Sequence, residues 1–120
     1  MHKKVLLAER SDATRNVTET VLRQNGFEVI SVRSGEKALK VLSVNSPDLM
    51  IIGEELQGHD GKQLYQCVQE NKAISSVPML LLTDSADTSL PFPQEIIITR
   101  PVDTRDILEK ARIFSGQSVS

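Results

Sequence analysis

Carboxylates, guanidinium groups and two hydroxyls fall at four points of this chain, each directly after a short apolar run. Glu9-Arg10 follow "KVLLA", Gly53-Glu54-Glu55 follow "LMII", Thr83-Asp84 follow "PMLLL", and Thr99-Arg100-Pro101 follow "EIII". Acids gathered at one place hold hard divalent cations through oxygen. Guanidinium groups beside a hydroxyl and loop N–H groups hold anions. Both chemistries need the four points to meet in space. More self-contained motifs do not survive inspection. "GEELQGHD" opens like a phosphate-binding loop, but His59-Asp60 stand where Lys and Ser or Thr are required. His2 and His59 have no partner at metal-ligand spacing. Ser, His and Asp occur without the local context that orders a nucleophile. Cys67 sits on the apolar side of a helical pattern and reads as core.

The elements that would position these residues alternate along the chain. The apolar runs 4–8, 28–32, 49–53, 78–83 and 95–99 are short and rich in branched residues, as strands buried on both faces are. Between them lie helical patterns. Ser11 or Asp12 caps the first, with Ala13, Val17 and Val21 repeating at helical spacing and Asn25-Gly26 as its stop. Ser34 caps the second, which carries Ala38, Leu39, Val41 and Leu42 and ends before Pro47. The third, 62–72, turns Leu64, Cys67 and Val68 inward. Asp103 caps the last, which runs to about Phe114 with Ile107, Leu108 and Ala111 as its apolar face. Strand–helix alternation predicts right-handed βαβ units, a parallel sheet covered on both sides, and a site beyond the carboxyl ends of the strands.

Composition bounds the remainder. At 120 residues the chain has the size of one domain. We expect it to span residues 1–114, with 115–120 a flexible tail or the start of a linker. Fourteen Lys and Arg against 16 Asp and Glu give a formal charge of -2, which argues against direct nucleic-acid binding. With no Trp, one Tyr and three Phe, the chain has few rings on which bases could stack. No apolar run reaches the roughly 18 residues of a membrane span. One cysteine makes no internal disulfide, so a cytoplasmic location is expected.

Taken in order, "GFEV", "PDLMII", the "DG" at Asp60-Gly61, "VPMLLLT" and "RPVD" resemble the receiver domain of bacterial response regulators, from Lys4 to about Phe114. The resemblance implies a single doubly wound α/β domain, a five-stranded parallel sheet in the flavodoxin-like order 2-1-3-4-5. It also implies a role in two-component signal transduction. Receivers accept a phosphoryl group on an aspartate ending strand three. A pair of acids after strand one helps bind Mg²⁺, and a Thr or Ser after strand four and a Lys after strand five contact the phosphoryl oxygens. Here the acid pair is Glu9-Arg10, the acceptor position is Gly53, Thr83 is kept and Arg100 stands for the lysine. Ile97 occupies the place of a switching aromatic.

These departures predict a degenerate, phosphorylation-independent receiver that acts through protein–protein interaction and carries no catalytic residue. Glycine offers no nucleophilic oxygen, and we read Gly53 as a permissive backbone position in a tight loop. Glu54 should point to the opposite face and Asp60 should cap the third helix, so neither replaces the acceptor. No cofactor is expected. Mg²⁺ binding should be weak or absent, because an inward Arg10 about 5 Å from a dication would oppose it by roughly 6–7 kcal/mol at an effective dielectric of about 20. The partners implied are other proteins or a fused output domain, and the resemblance allows a homodimer. The alternative reading is a module switched by an anion or small ligand held by Arg10, Thr83 and Arg100. The segment 84–94 contains Pro91 and Pro93, which predicts that the fourth helix of a receiver is shortened or missing. Leu90 and Phe92 then cover the core or, with Ile97, form an interaction surface.

Overall fold

A computed structural model describes residues 3–53, 61–71, 76–83, 97–99 and 103–116, the side chains of 61–63, 65 and 99 excepted. Its elements are β1 (Lys4–Ala8), α1 (Asp12–Gln24), β2 (Glu28–Val32), α2 (Gly35–Val44), β3 (Leu49–Gly53), α3 (Gly61–Glu70), β4 (Met79–Thr83), β5 (Ile97–Thr99) and α4 (Thr104–Ser115). The five strands form one parallel sheet, as the alternating pattern predicts, in the order β2-β1-β3-β4-β5 that the resemblance implies. The expectation of a reduced fourth receiver helix falls on the connection between β4 and β5, which lies outside the described residues, as do Leu90, Phe92 and Arg100.

Burial explains why the strands read as unbroken apolar runs. Alternate residues of each strand enter two separate cores. Leu6, Ala8, Met50, Ile52, Met79 and Leu81 pack under α2 and α3 with Ala38, Leu42, Leu64 and Val68. Val5, Leu7, Leu49, Ile51, Leu80, Leu82 and Ile98 pack under α1 and α4 with Leu22, Ile107 and Ala111. Each fully buried Leu or Ile contributes roughly 1.5–3 kcal/mol, so a residue facing either side supports the sheet.

Helix ends follow the local chemistry of the sequence. Ser11 is the N-cap of α1, its Oγ accepting the Thr14 N–H at 3.3 Å. At the other end Gly26 adopts φ 89°. Its N–H reaches the Arg23 carbonyl, and that of Phe27 reaches Leu22, closing a Schellman turn in which Phe27 and Leu22 share one core. Asp103 caps α4 through Oδ1, which accepts from the N–H groups of Arg105 and Asp106. The helix runs one residue past Phe114 and stops at Gly116 in the left-handed region.

The inward face of α1 corrects the periodicity reading. Thr18 and Leu22 are its buried residues, Val21 is partly covered, and Ala13 and Val17 are exposed, Val17 at 49%. Leu22, held by the Schellman turn, sets the rotation of the helix, and it brings a threonine inside in place of a valine. The Thr18 hydroxyl and that of Ser31 on β2 are buried without a hydrogen-bond partner among the described residues.

Candidate functional site

Because all strands run parallel, their carboxyl ends share one edge. Ala8 pairs with Val32 on one side and Ile52 on the other, Gly53 pairs with Leu82, and Thr83 with Thr99. One step beyond the Ala8–Ile52 pair, Glu9 and Gly53 come to the same level of the edge. The topology thus brings together Glu9, Gly53 and Thr83, three positions singled out from sequence.

Glu9 is buried, 1% exposed. Its N–H extends the sheet by donating to the Val32 carbonyl at 3.0 Å. Its carboxylate Oε1 accepts the Ser11 N–H at 3.0 Å. Its backbone carbonyl accepts from the Arg15 guanidinium Nη1 at 3.0 Å. Arg15 also pairs with Asp12, and Asp12 lies 3.8 Å from Arg33 Nη2. The Arg15 hydrogen bond, and then the Arg33 charge, hold the Asp12 carboxyl below its ordinary value. The loop after β1 is therefore tied by a helix cap, a buried acid and two arginines. Arg10 is exposed, so its side chain does not enter the buried level at which Glu9 lies.

Gly53 is buried and belongs to β3 itself. Its φ is not positive, since Gly26 and Gly116 are the glycines with that geometry among the described residues. This corrects the expectation that conformational freedom explains the glycine: the backbone here is ordinary strand. Thr83 is fully buried at the end of β4. Ile97 is half-buried and packs against the core under α2 and α3.

Sequence reasoning missed Arg15 and Arg33. Asp12 and Arg15 are three apart on one helix, a spacing that brings side chains together and could have signalled the pair. Arg33 meets Asp12 only because β2 lies beside β1. Among the described residues no three His, Cys, Asp or Glu side chains gather as a metal site, and no helix is long and apolar enough to cross a membrane.

The architecture has close relatives. A model of the response regulator receiver domain matches residues 5–112. The transcriptional regulator ycf27 of Cyanophora paradoxa is 30% identical over 118 residues, covering 94% of this chain and 47% of the relative. The chain thus spans about half the length of the curated relatives it matches. A response regulator of Chloroflexus aurantiacus superposes with a TM-score of 0.87 at 25% identity, over 98% of this chain and all of that one. The chemotaxis response regulator CheY4 of Vibrio cholerae, at 18% identity, shares the fold with a TM-score of 0.86 over 95% of this chain and 99% of its own. With its strand order, its two-sided core and the receiver model matched over most of its length, the chain belongs to the response regulator receiver family.

Proposed function

We propose that this receiver works without phosphorylation, as a module that recognises another protein surface. The observation that carries the reading is Gly53. In the receiver pattern the phosphoryl group joins a side-chain oxygen at the end of the third strand, and β3 ends there in a residue with none. Glu54 follows it outside the described residues, and strand alternation turns adjacent side chains to opposite faces.

The donor set does not fit a magnesium ion either. Mg²⁺ requires near-octahedral oxygen ligation. Of the three positions that would surround it, Glu9 already spends a carboxylate oxygen on the Ser11 N–H, position 10 is a cation, and position 53 is a hydrogen. What remains at this edge is a loop tied internally through Glu9, Ser11 and Arg15.

A domain with an intact receiver scaffold and no acceptor retains shape and surface. Relatives named as transcriptional regulators are about twice as long, which supports a role in which this domain contacts an output segment or a separate regulatory protein. The anion-switch reading is less well supported, because Thr83 is buried and Arg10 is exposed. Incubation with acetyl phosphate and Mg²⁺, followed by intact-protein mass measurement, is expected to give no phosphoryl adduct. An adduct near one per chain that hydroxylamine removes would overturn the proposal.

A further inference from the structure

The stop of α1 carries the two groups of a reaction that needs no enzyme. Asn25 is followed by Gly26, whereas the other asparagines precede Val17, Ser46 and Lys72. In an open chain the Gly26 amide nitrogen reaches the Asn25 side-chain carbonyl carbon, because glycine has no side chain to hinder the approach. In the folded domain both groups are held elsewhere. Asn25 Nδ2 donates to the Val21 carbonyl at 2.7 Å. Asn25 Oδ1 accepts from Arg112 Nη2 on α4 at 3.4 Å. The Gly26 N–H donates to the Arg23 carbonyl at 3.2 Å, within the Schellman turn.

We propose that Asn25-Gly26 is a site of spontaneous deamidation that the folded domain holds shut, and that reaction there unlocks α1. The Gly26 nitrogen gives up its proton and bonds to Asn25 Cγ. The Cγ–Nδ2 bond breaks, and the side-chain nitrogen leaves as ammonia. Water then opens the five-membered imide at either carbonyl. One opening leaves aspartate, and the other leaves isoaspartate, with the main chain rerouted through Cγ. Water is the only co-reactant, and nothing is oxidised or reduced. In the native turn the attack cannot begin until Gly26 releases Arg23 and the Asn25 amide releases Val21 and Arg112. Three ordinary hydrogen bonds of local opening should slow the reaction roughly a hundredfold.

The products do not restore what was lost. Neither has the Nδ2 donor to Val21. Aspartate sets a carboxylate oxygen against that carbonyl, and isoaspartate lengthens the main chain by one methylene inside the turn. The same turn brings Phe27 over Leu22, the contact that sets the rotation of α1. The reaction is therefore a one-way mark on chains that have opened at this end of the helix. It is independent of whether the strand ends react with phosphate.

The test is incubation of the full chain at mildly alkaline pH, folded and in guanidinium chloride, followed by peptide mapping that separates aspartate from isoaspartate. In denaturant, Asn25 should convert about tenfold or more faster than Asn16 or Asn71, which precede residues with bulky side chains. In the folded chain, conversion at position 25 should fall roughly a hundredfold. Asn25→Asp carries one product from the start and should unfold at lower urea concentration than the wild type. The isoaspartate fraction, purified from the denatured sample and refolded, should unfold at lower urea concentration as well, and failure to refold is the same result at its extreme. Equal rates at Asn25 in folded and unfolded chains overturn the proposal. So does conversion at Asn25 no faster than at Asn16 and Asn71 in denaturant, and so does an isoaspartate fraction that refolds with the wild-type midpoint.

Discussion

At the end of β1, a buried acid, a helix cap and two arginines are bound into one network around Glu9, Ser11, Asp12, Arg15 and Arg33. At the neighbouring end of β3, at the same level, the strand stops in Gly53 and contributes only backbone. The first region keeps polar chemistry and uses it to hold a loop. The second offers no side-chain oxygen. On the proposed reading, the fold persists at an edge where the phosphoryl transfer does not take place. In the β1 loop Glu9 accepts from the Ser11 N–H and from Arg15 within the chain.

Restoring an acid at the empty position breaks the comparison most forcefully. Gly53→Asp would set a second buried carboxylate at the level of Glu9. Burial and like charge both disfavour its ionised form, so we expect a loss of about 2–4 kcal/mol in urea unfolding at neutral pH. The loss should shrink as pH falls. If the variant is stabilised by Mg²⁺ and labelled by acetyl phosphate, the missing oxygen was the only defect. If it gains neither, the site is closed at more than one residue. A variant as stable as the wild type at pH 7 would contradict the burial assigned to Gly53.

A smaller effect sharpens the other side. Arg15→Ala removes a hydrogen bond to the Glu9 carbonyl and the pair with Asp12. The expected cost is about 1–2 kcal/mol. Adding Mg²⁺ should leave the unfolding midpoint of this variant unchanged. Rescue by the metal would show that the β1 loop still accommodates a cation where we assign an internal tie.

The smallest effect is in the acid limb. Asp12 is exposed, and its carboxyl sits below its ordinary value because of Arg15 and then Arg33. A depressed acid stabilises the fold at pH above its unfolded value, and that contribution disappears as pH falls through the lower native value. An NMR titration should therefore place the Asp12 midpoint below 3.8, rising toward it in Arg15→Ala. Added salt should reduce the part of the shift that comes from the Arg33 charge, since Asp12 and Arg33 are both exposed. A midpoint at or above the ordinary value would remove Asp12 from the network.

Strands were the most legible part of the sequence, because a parallel strand buried on both sides leaves an unbroken apolar run with little ambiguity. Asn25-Gly26 and Asp103 announced their helix ends for equally local reasons. The rotation of α1 was not legible. Ala13, Val17 and Val21 form as good a stripe as Thr18 and Leu22, and the choice is made by Phe27 closing over Leu22, a contact made by the following turn. At the site, Glu9, Gly53 and Thr83 could be found from their places after apolar runs. Arg33 could not, since its approach to Asp12 depends on which strand neighbours β1. Gly53 ends β3, and its backbone is that of any strand residue, so the permissive-loop explanation of the glycine does not hold.

The two orphaned alcohols at Thr18 and Ser31 have a practical consequence. Each withholds about 1–3 kcal/mol from the native state by going unbonded in the interior. The domain therefore has headroom. Thr18→Val and Ser31→Ala should toughen it from within, and variants at the sheet edge or on the outer helix could then be made on a background sturdy enough to survive them.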